Sequence, residues 1–486
     1  MHAKTGMSLI SLKLKQELEQ LNALMLKAES DYASLLEQVH PSQKKSAVNL
    51  LHYLVFRSHN MEDLHTVLED EGYSSLTNAE GHIQHRVLSV LKHFMNVPNP
   101  APCNLSECQT MQEKRVHQLF GNTPGSKESA IMVTLKTAHA SDFIMIKKFL
   151  RSSMSIARIN CAHDNEKDWM NMIKNIRSAS EITGLPCKIY MDLAGPKIRT
   201  RIKGEKKNKI RLEENDEFIL TDHENAKSKL PVVHTTLPGL AAQLKPEQRV
   251  FFDDGLFEAK VLSSNNGEAL LEIIRAPTEK PFLKSEKGIN LPDSKIPVMA
   301  LTKEDRKNLS FVLQHADMVG YSFVQNVTDL MELRKEMKDK KIPVILKIET
   351  PEAFYNLPKL LFLAMQDELY GIMIARGDLA VELGFENLGL VQEEITRLCH
   401  AAHAPMIWAT QVLENLNKKG VPNRAEISDV SLGAAADCIM LNKGDYTVQS
   451  IKALKKILQQ TSRYHFKNKQ VLKPLMLAKR FFQHRN

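Results

Sequence analysis

The chain has 486 residues, 43% apolar and 25% charged, too long for one ordinary domain and too apolar for a disordered polymer, so two to four domains are expected. Its 65 lysines and arginines exceed its 57 aspartates and glutamates by 8. That excess is spread along the chain, too thin for nucleic-acid binding but suited to a small polyanion such as a phosphorylated metabolite.

No stretch approaches the roughly 18 apolar residues of a membrane span, and the opening MHAKTGMSLISLKLKQELEQ turns charged before a secretory core can form. Six cysteines (Cys103, Cys108, Cys161, Cys187, Cys399 and Cys438) lack CxxC spacing, which argues against both a zinc site and a disulfide framework. A soluble, unprocessed, cytoplasmic protein with no membrane partner is therefore expected.

Residues 9–95 repeat apolar side chains at helical spacing, with breaks at Pro41, Gly72 and the NAEG of 78–81, predicting about four helices. NVPNPAP at 96–102 reads as a linker. The module's histidines (His52, His59, His65, His82, His85 and His93) invite a metal reading, and His82 and His85 share a helix face. Without an accompanying carboxylate or cysteine set they are expected at the surface, and Cys103 and Cys108 are expected as free thiols.

Beyond Ser129 the pattern changes to eight short β-branched runs, each with an amphipathic stretch after it in nearly every case: IMVTL from 131, SIARIN from 155, KIYMDL from 188, MVGYSF from 318, VILKIE from 344, GIMIAR from 371, PMIWAT from 405 and CIMLN from 438. After the third, residues 201–295 alternate like strands and carry no long helical pattern. The expectation is an α/β chain: a (β/α)8 TIM barrel over 126–200 and 296–465, an inserted β-barrel lid over 201–295, an all-α module with linker over 1–125, and a basic tail over 466–486. A doubly wound sheet is the alternative, weakened by the lack of a Gly-rich dinucleotide fingerprint.

Active sites of such barrels lie at the C-terminal strand ends. Arg158 and Asn160 end the second run, Asp192 the third, Lys347 and Glu349 the fifth, Asp378 follows the sixth and Thr410 ends the seventh. Residues two apart on a strand share a face, so Lys347 and Glu349 point into one pocket, as do Arg158 and Asn160. Two carboxylates from different strands, Glu349 and Asp378, suit Mg²⁺, and a metal flanked by Lys347 and Arg158 is apparatus for phosphoryl transfer. Any one of these residues alone is uninformative; their convergence on five of eight strand ends carries the reading.

At these residues the sequence resembles the pyruvate kinase family, through SIARINCAH, MDLAGPKIRT, FFDDGL, KGINLP, MVGYSFV, ILKIET, IMIARGDLAVE, IWATQVLE and RAEISDV in that family's order. The resemblance implies transfer of the phosphoryl group of phosphoenolpyruvate to ADP in glycolysis, giving pyruvate and ATP, with Mg²⁺ or Mn²⁺. It implies Lys347 as the lysine that stabilises the transferring phosphoryl, Glu349 and Asp378 as metal ligands, and the amides of Gly377 and Asp378 as holders of the substrate carboxylate. Thr410 is implied in delivering the proton that completes pyruvate, Arg158 in phosphate binding, and Asn160, His163 and Arg199 in nucleotide binding.

The sequence also departs from the family. Of four potassium ligands, the Asn and Asp positions keep Asn160 and Asp192, but Ala162 and Leu193 stand where a Ser and a Thr are usual. Lys197 replaces a glutamate, so its ammonium is expected to supply the monovalent charge and K⁺ not to be required. Gln325 takes an expected arginine position, NKGDY at 442–446 shortens a rim loop, and no C-terminal regulatory domain is expected. A homo-oligomer is compatible with all this. The rival readings are another enolate or 2-oxo-acid enzyme such as a lyase, and a catalytically weak regulatory homologue.

Overall fold

The computed structural model describes residues 9–97, 101–121, 128–203, 208–223, 226, 228–294, 296, 298–338, 340–462, 465–466 and 469–470. The basic tail anticipated at the C-terminus lies, from residue 471 onward, outside them.

Eight parallel strands close into a barrel: β1 (Ala130–Thr134), β2 (Ile156–Asn160), β3 (Lys188–Asp192), β4 (Met318–Tyr321), β5 (Val344–Ile348), β6 (Tyr370–Ala375), β7 (Met406–Ala409) and β8 (Cys438–Leu441). One strand falls on each of the eight apolar runs, and β1 closes the ring by pairing with both β2 and β8. Side chains alternate across each strand. Ile131, Val133, Ile189 and Met191 face outward into a core shared with the surrounding helices. Met132, Ile156, Tyr190, Met318, Ile345, Met373, Ile407 and Cys438 face inward and fill the lower barrel.

The residue two positions further along an inward-facing strand sits one layer higher, on the same face. Above Ile156, Tyr190, Met318 and Ile345 therefore come Arg158, Asp192, Gly320 and Lys347, and this step turns an apolar floor into a polar mouth. Gly320 is demanded by that stacking. A Cβ there would lie 1.9 Å from the Tyr190 hydroxyl and 2.4 Å from Asp192 Oδ1.

Between β3 and β4 the chain leaves the barrel to form a seven-stranded, largely antiparallel sheet running from Thr200–Arg201 to Ile289–Asn290. This lid has its own core around Phe218, Leu220, Val250, Phe252 and Phe257. An isolated bridge from Arg199 to Gly288 brings its two connections together.

The N-terminal region holds α1 (Leu9–Asp31), α2 (Ala33–Glu37), α3 (Lys44–Arg57), α4 (Glu62–Asp70) and α5 (Ile83–Leu91), one more helix than the apolar periodicity indicates because the chain breaks at Tyr32. After residues 98–100, α6 (Leu105–Phe120) starts at a capping box in which Asn104 accepts from the Glu107 amide and Glu107 from the Asn104 amide. Its Val116, Leu119 and Phe120 join the inward-facing strand residues and plug the N-terminal end of the barrel.

The helical module shares one continuous apolar core with the barrel's outer shell. Asn49 Nδ2 donates to the carbonyls of Glu80 and Ala401 at 2.7 and 2.8 Å, and the buried Arg115 guanidinium donates to Ser46 Oγ and to the Ser42 and His403 carbonyls at 2.9, 2.9 and 3.0 Å. The expectation of surface histidines needs correction at two positions. His52 and His82 are buried, His52 because Glu29 Oε1 meets its Nε2 at 2.9 Å.

Gly320→Ala should destabilise the protein by about 2 kcal/mol or more, because neither Tyr190 nor Asp192 can retreat within a packed barrel. Denaturant unfolding of the variant beside the parent measures this directly.

Candidate active site

The upper barrel layer is a network of paired charges. Lys347 Nζ donates to Ser322 Oγ at 2.7 Å and lies 3.1 Å from Glu349 Oε1 and 3.3 Å from Asp192 Oδ2. Arg158 grips the same Asp192 oxygen through Nε and Nη2 at 2.9 and 2.6 Å, with Thr134 Oγ1 on Nη1 at 3.0 Å. The Tyr190 hydroxyl donates to Asp192 Oδ1 at 3.1 Å. Side-chain exposures of 9% for Lys347, 4% for Glu349 and 1% for Asp192 put the network out of bulk water.

Burial alone would discharge these groups, and their partners decide which stay charged. Burial opposes the Lys347 ammonium, but Asp192 and Glu349 together raise its pKa. For Asp192, burial is outweighed by Lys347 and Arg158, and its carboxyl is held below the usual range. Glu349 goes the other way: burial, aided by the facing Asp378 carboxylate, raises its pKa despite Lys347. Glu349 and Asp378 are thus electrostatically linked carboxylates at the barrel mouth.

Asp378 lies in the first turn of the helix Arg376–Leu383 that follows β6. Its Oδ1 is 2.8 Å from Lys197 Nζ, and Asn290 of the lid donates to it at 3.3 Å. Burial would raise its pKa, yet Lys197 keeps it low. This ion pair corrects one expectation. The Lys197 ammonium sits with Asp378 and, at 3.6 Å, Asp254, and is not brought to Asn160 and Asp192. Those two oppose each other across β2 and β3, but Asp192 is already satisfied by Arg158 and Lys347, and Asn160 Oδ1 accepts from the Ala162 amide at 3.0 Å.

Thr410 stands next to Gly377, where a Cβ would come within 3.5 Å of the Thr410 hydroxyl. That hydroxyl is buried and makes no hydrogen bond among the described residues. Its backbone is left-handed at φ 68°, as are Gln411 and Leu413 at 55° and 46°. Arg376 holds this strained turn, donating to the carbonyls of Ala409 and Thr410 at 3.1 and 2.7 Å while pairing with Asp429 and stacking over Trp408. The Thr410 hydroxyl therefore keeps its hydrogen-bonding capacity open beside Gly377.

His163 and Arg199 stand apart from the Lys347 network. Arg199 donates to the Glu286 carbonyl at 3.0 Å in the lid connection. His163 has its pKa lowered by burial, then by Lys443 and Arg199, so these cations and Arg158 share one sector of the mouth.

Sequence reading missed several participants. Ser322 directly follows β4, and the strand-end rule applied evenly would have found it; Lys443 lies two residues beyond β8, in the rim loop. Asn290 had no such signal because it comes from the lid. The oxygen donors Glu349 and Asp378, which follow β5 and β6 and are electrostatically linked, fit a hard divalent cation such as Mg²⁺.

Comparison with known proteins agrees with this geometry. Residues 126–451 match the family model "Pyruvate kinase, barrel domain". The chain is 32% identical over 331 residues to a pyruvate kinase of Thermococcus litoralis (66% of this chain, 66% of the relative) and 32% identical over 332 residues to one of Encephalitozoon cuniculi (67% and 73%). It is 30% identical over 345 residues to one of Staphylococcus saprophyticus (68% and 56%). The matched region thus spans between 56% and 73% of the length of these relatives.

Glu382 provides a pH test of the contact between lid and barrel. It accepts from Asn290 Nδ2 at 2.9 Å and the Leu291 amide at 3.3 Å, and burial pushes its pKa up to about 7 from 4.5. A carboxyl raised on folding contributes most below its unfolded value, and that contribution is lost as pH rises through the folded one. Unfolding free energy should therefore fall between pH ~4.5 and ~7 by at most about 3 kcal/mol from this group. Glu382→Gln should flatten that fall, as read by thermal unfolding across the window.

Proposed function

Since the chain belongs to the pyruvate kinase family, we propose that it transfers the phosphoryl group of phosphoenolpyruvate to ADP, giving pyruvate and ATP in glycolysis. The observation that carries the reading is the buried Lys347 ammonium, fixed by Asp192, Glu349 and Ser322 beneath two linked carboxylates. Phosphoryl transfer places negative charge on oxygens in a nearly dissociated group, and a preorganised cation in a dry site stabilises that charge without reorganising.

In this reading the Lys347 ammonium, held in place by its carboxylate partners, faces the transferring phosphoryl. Arg158 holds a phosphate oxygen, with Asn160, His163, Arg199 and Lys443 on the nucleotide side. The amides of Gly377 and Asp378, in the first turn of their helix, hold the substrate carboxylate, because free N–H groups at a helix start favour an anion. The orphaned Thr410 hydroxyl supplies the hydrogen bond through which a proton reaches the enolate carbon.

Glu349 and Asp378 would hold Mg²⁺ or Mn²⁺, which when bound neutralises phosphoryl and enolate oxygens. The lid's Asn290, already on Asp378 and Glu382, supports closure from above and exclusion of water.

We also propose that K⁺ is not required. Lys197 brings a permanent ammonium to Asp378, while Asp192 is already neutralised by two cationic side chains. The six free thiols support a reducing, cytoplasmic setting.

A coupled assay of pyruvate formation from phosphoenolpyruvate and ADP with Mg²⁺ tests the proposal, and turnover should proceed without added K⁺. Pyruvate formation that ignores ADP would instead mark a lyase. Lys347→Met should lower turnover by at least about 10²-fold, on the order of 3 kcal/mol, and near-normal turnover of a folded variant would sink the assignment.

A further inference from the structure

Away from the barrel mouth, Cys103, Cys108 and His403 converge at the seam between the helical module, α6 and the barrel. Their ligand atoms all lie within 4.8 Å of one another, and all three residues are buried. They come from three positions: Cys103 immediately precedes the N-cap Asn104, Cys108 sits one turn inside α6, and His403 lies in the turn leading from the helix Leu388–Ala401 into β7.

We propose that these three side chains bind one thiophilic divalent cation of the Zn²⁺ class, which fastens the helical module to the barrel.

The spacing Cys-x4-Cys falls within the range seen for paired cysteine ligands of zinc. The donors are aimed at a common point: His403 Nε2 and Cys103 Sγ both reach the Gly81 carbonyl oxygen, at 2.8 and 3.5 Å. Nε2 is therefore the nitrogen turned toward the sulfurs, with the Gly81 carbonyl beside them.

The other ring nitrogen, Nδ1, meets Ser46 Oγ at 3.0 Å, and that hydroxyl also accepts from Arg115 at 2.9 Å. Such a partner orients a metal-bound imidazole and fixes its tautomer. His403 is itself held in the left-handed region at φ 48°, a strained backbone that only its surroundings keep in place. At residue 81 glycine leaves the approach open, since a Cβ there would press on His403 Nε2 at 3.0 Å.

Charge arithmetic favours the assignment. Two thiolates and a divalent cation sum to zero, which suits a buried seam, and binding releases one proton from each thiol while the imidazole proton moves from Nε2 to Nδ1.

A simpler role exists for the two sulfurs. Cys103 and Cys108 occupy the positions flanking the capping box where an apolar pair staples a helix start. An apolar staple needs no imidazole, however, and the third donor is what the simpler role leaves unexplained.

The test uses the full chain, reduced and handled without oxygen, titrated with Co²⁺. One equivalent per chain should produce a thiolate-to-cobalt charge-transfer band and tetrahedral visible bands, both displaced by Zn²⁺. Cys103→Ser and Cys108→Ser should each abolish the charge-transfer band. Bound Zn²⁺ should raise the unfolding temperature of the unsubstituted protein by at least about 3 °C and protect both cysteines, but not their serine variants' remaining thiol, from alkylation read by mass spectrometry.

The proposal fails if the unsubstituted protein gives no charge-transfer band at one equivalent, or if the band survives in both serine variants. It also fails if saturating Zn²⁺ leaves both thiols of the unsubstituted protein as open to alkylation as they are without metal.

Discussion

An ammonium buried among carboxylates is the constraint from which the rest of the barrel follows. Isolated, the Lys347 charge would cost several kcal/mol in the interior, and so would Asp192 or Glu349. Together, Arg158, Lys197 and Lys347 balance Asp192, Glu349 and Asp378 in the polar layer at the barrel mouth and the loops just above it. Each member is tolerable only because the others are in place, so the layer must assemble as a unit. Its rigidity is also its use in the proposed reaction, where cations already held in place would receive a phosphoryl group with little rearrangement.

That layer was legible in sequence because the barrel converts spacing into position. Two residues along an inward-facing strand is one layer up, so a polar residue after an apolar run has only the mouth to occupy. Arg158, Asp192, Lys347 and Glu349 all obey this rule, as does the unremarked Ser322. Contributions from other parts of the fold escaped it. Asn290 belongs to the lid, and its approach to Asp378 and Glu382 is set by how the inserted sheet rests on the mouth. Lys197 was read by position in a motif, yet the turn at Gly195, with φ 67°, directs the chain so that its ammonium selects Asp378.

The helical module was harder to read for a related reason. Its periodic apolar faces announce helices but not what they pack against, and the histidines assigned to the surface include two that the packed interior absorbs. What binds the module to the barrel is a set of buried polar residues: Asn49 on two carbonyls, Arg115 on four oxygens and Glu80 paired with Arg397. Buried donors of this kind cost stability when mispaired, so they specify one docking geometry more sharply than apolar contact does.

The plug formed by α6 bears on how the ring closes. Phe120 and Leu119 emerge from the ribosome before any of the eight strands, so an apolar spindle is already present when β1 arrives. Strands added in turn can condense on it, and final pairing of β8 with β1 seals a cylinder whose base is already filled. A barrel severed from this helix would open onto water through a greasy hole, making the preceding segment a built-in scaffold for the enzyme's assembly.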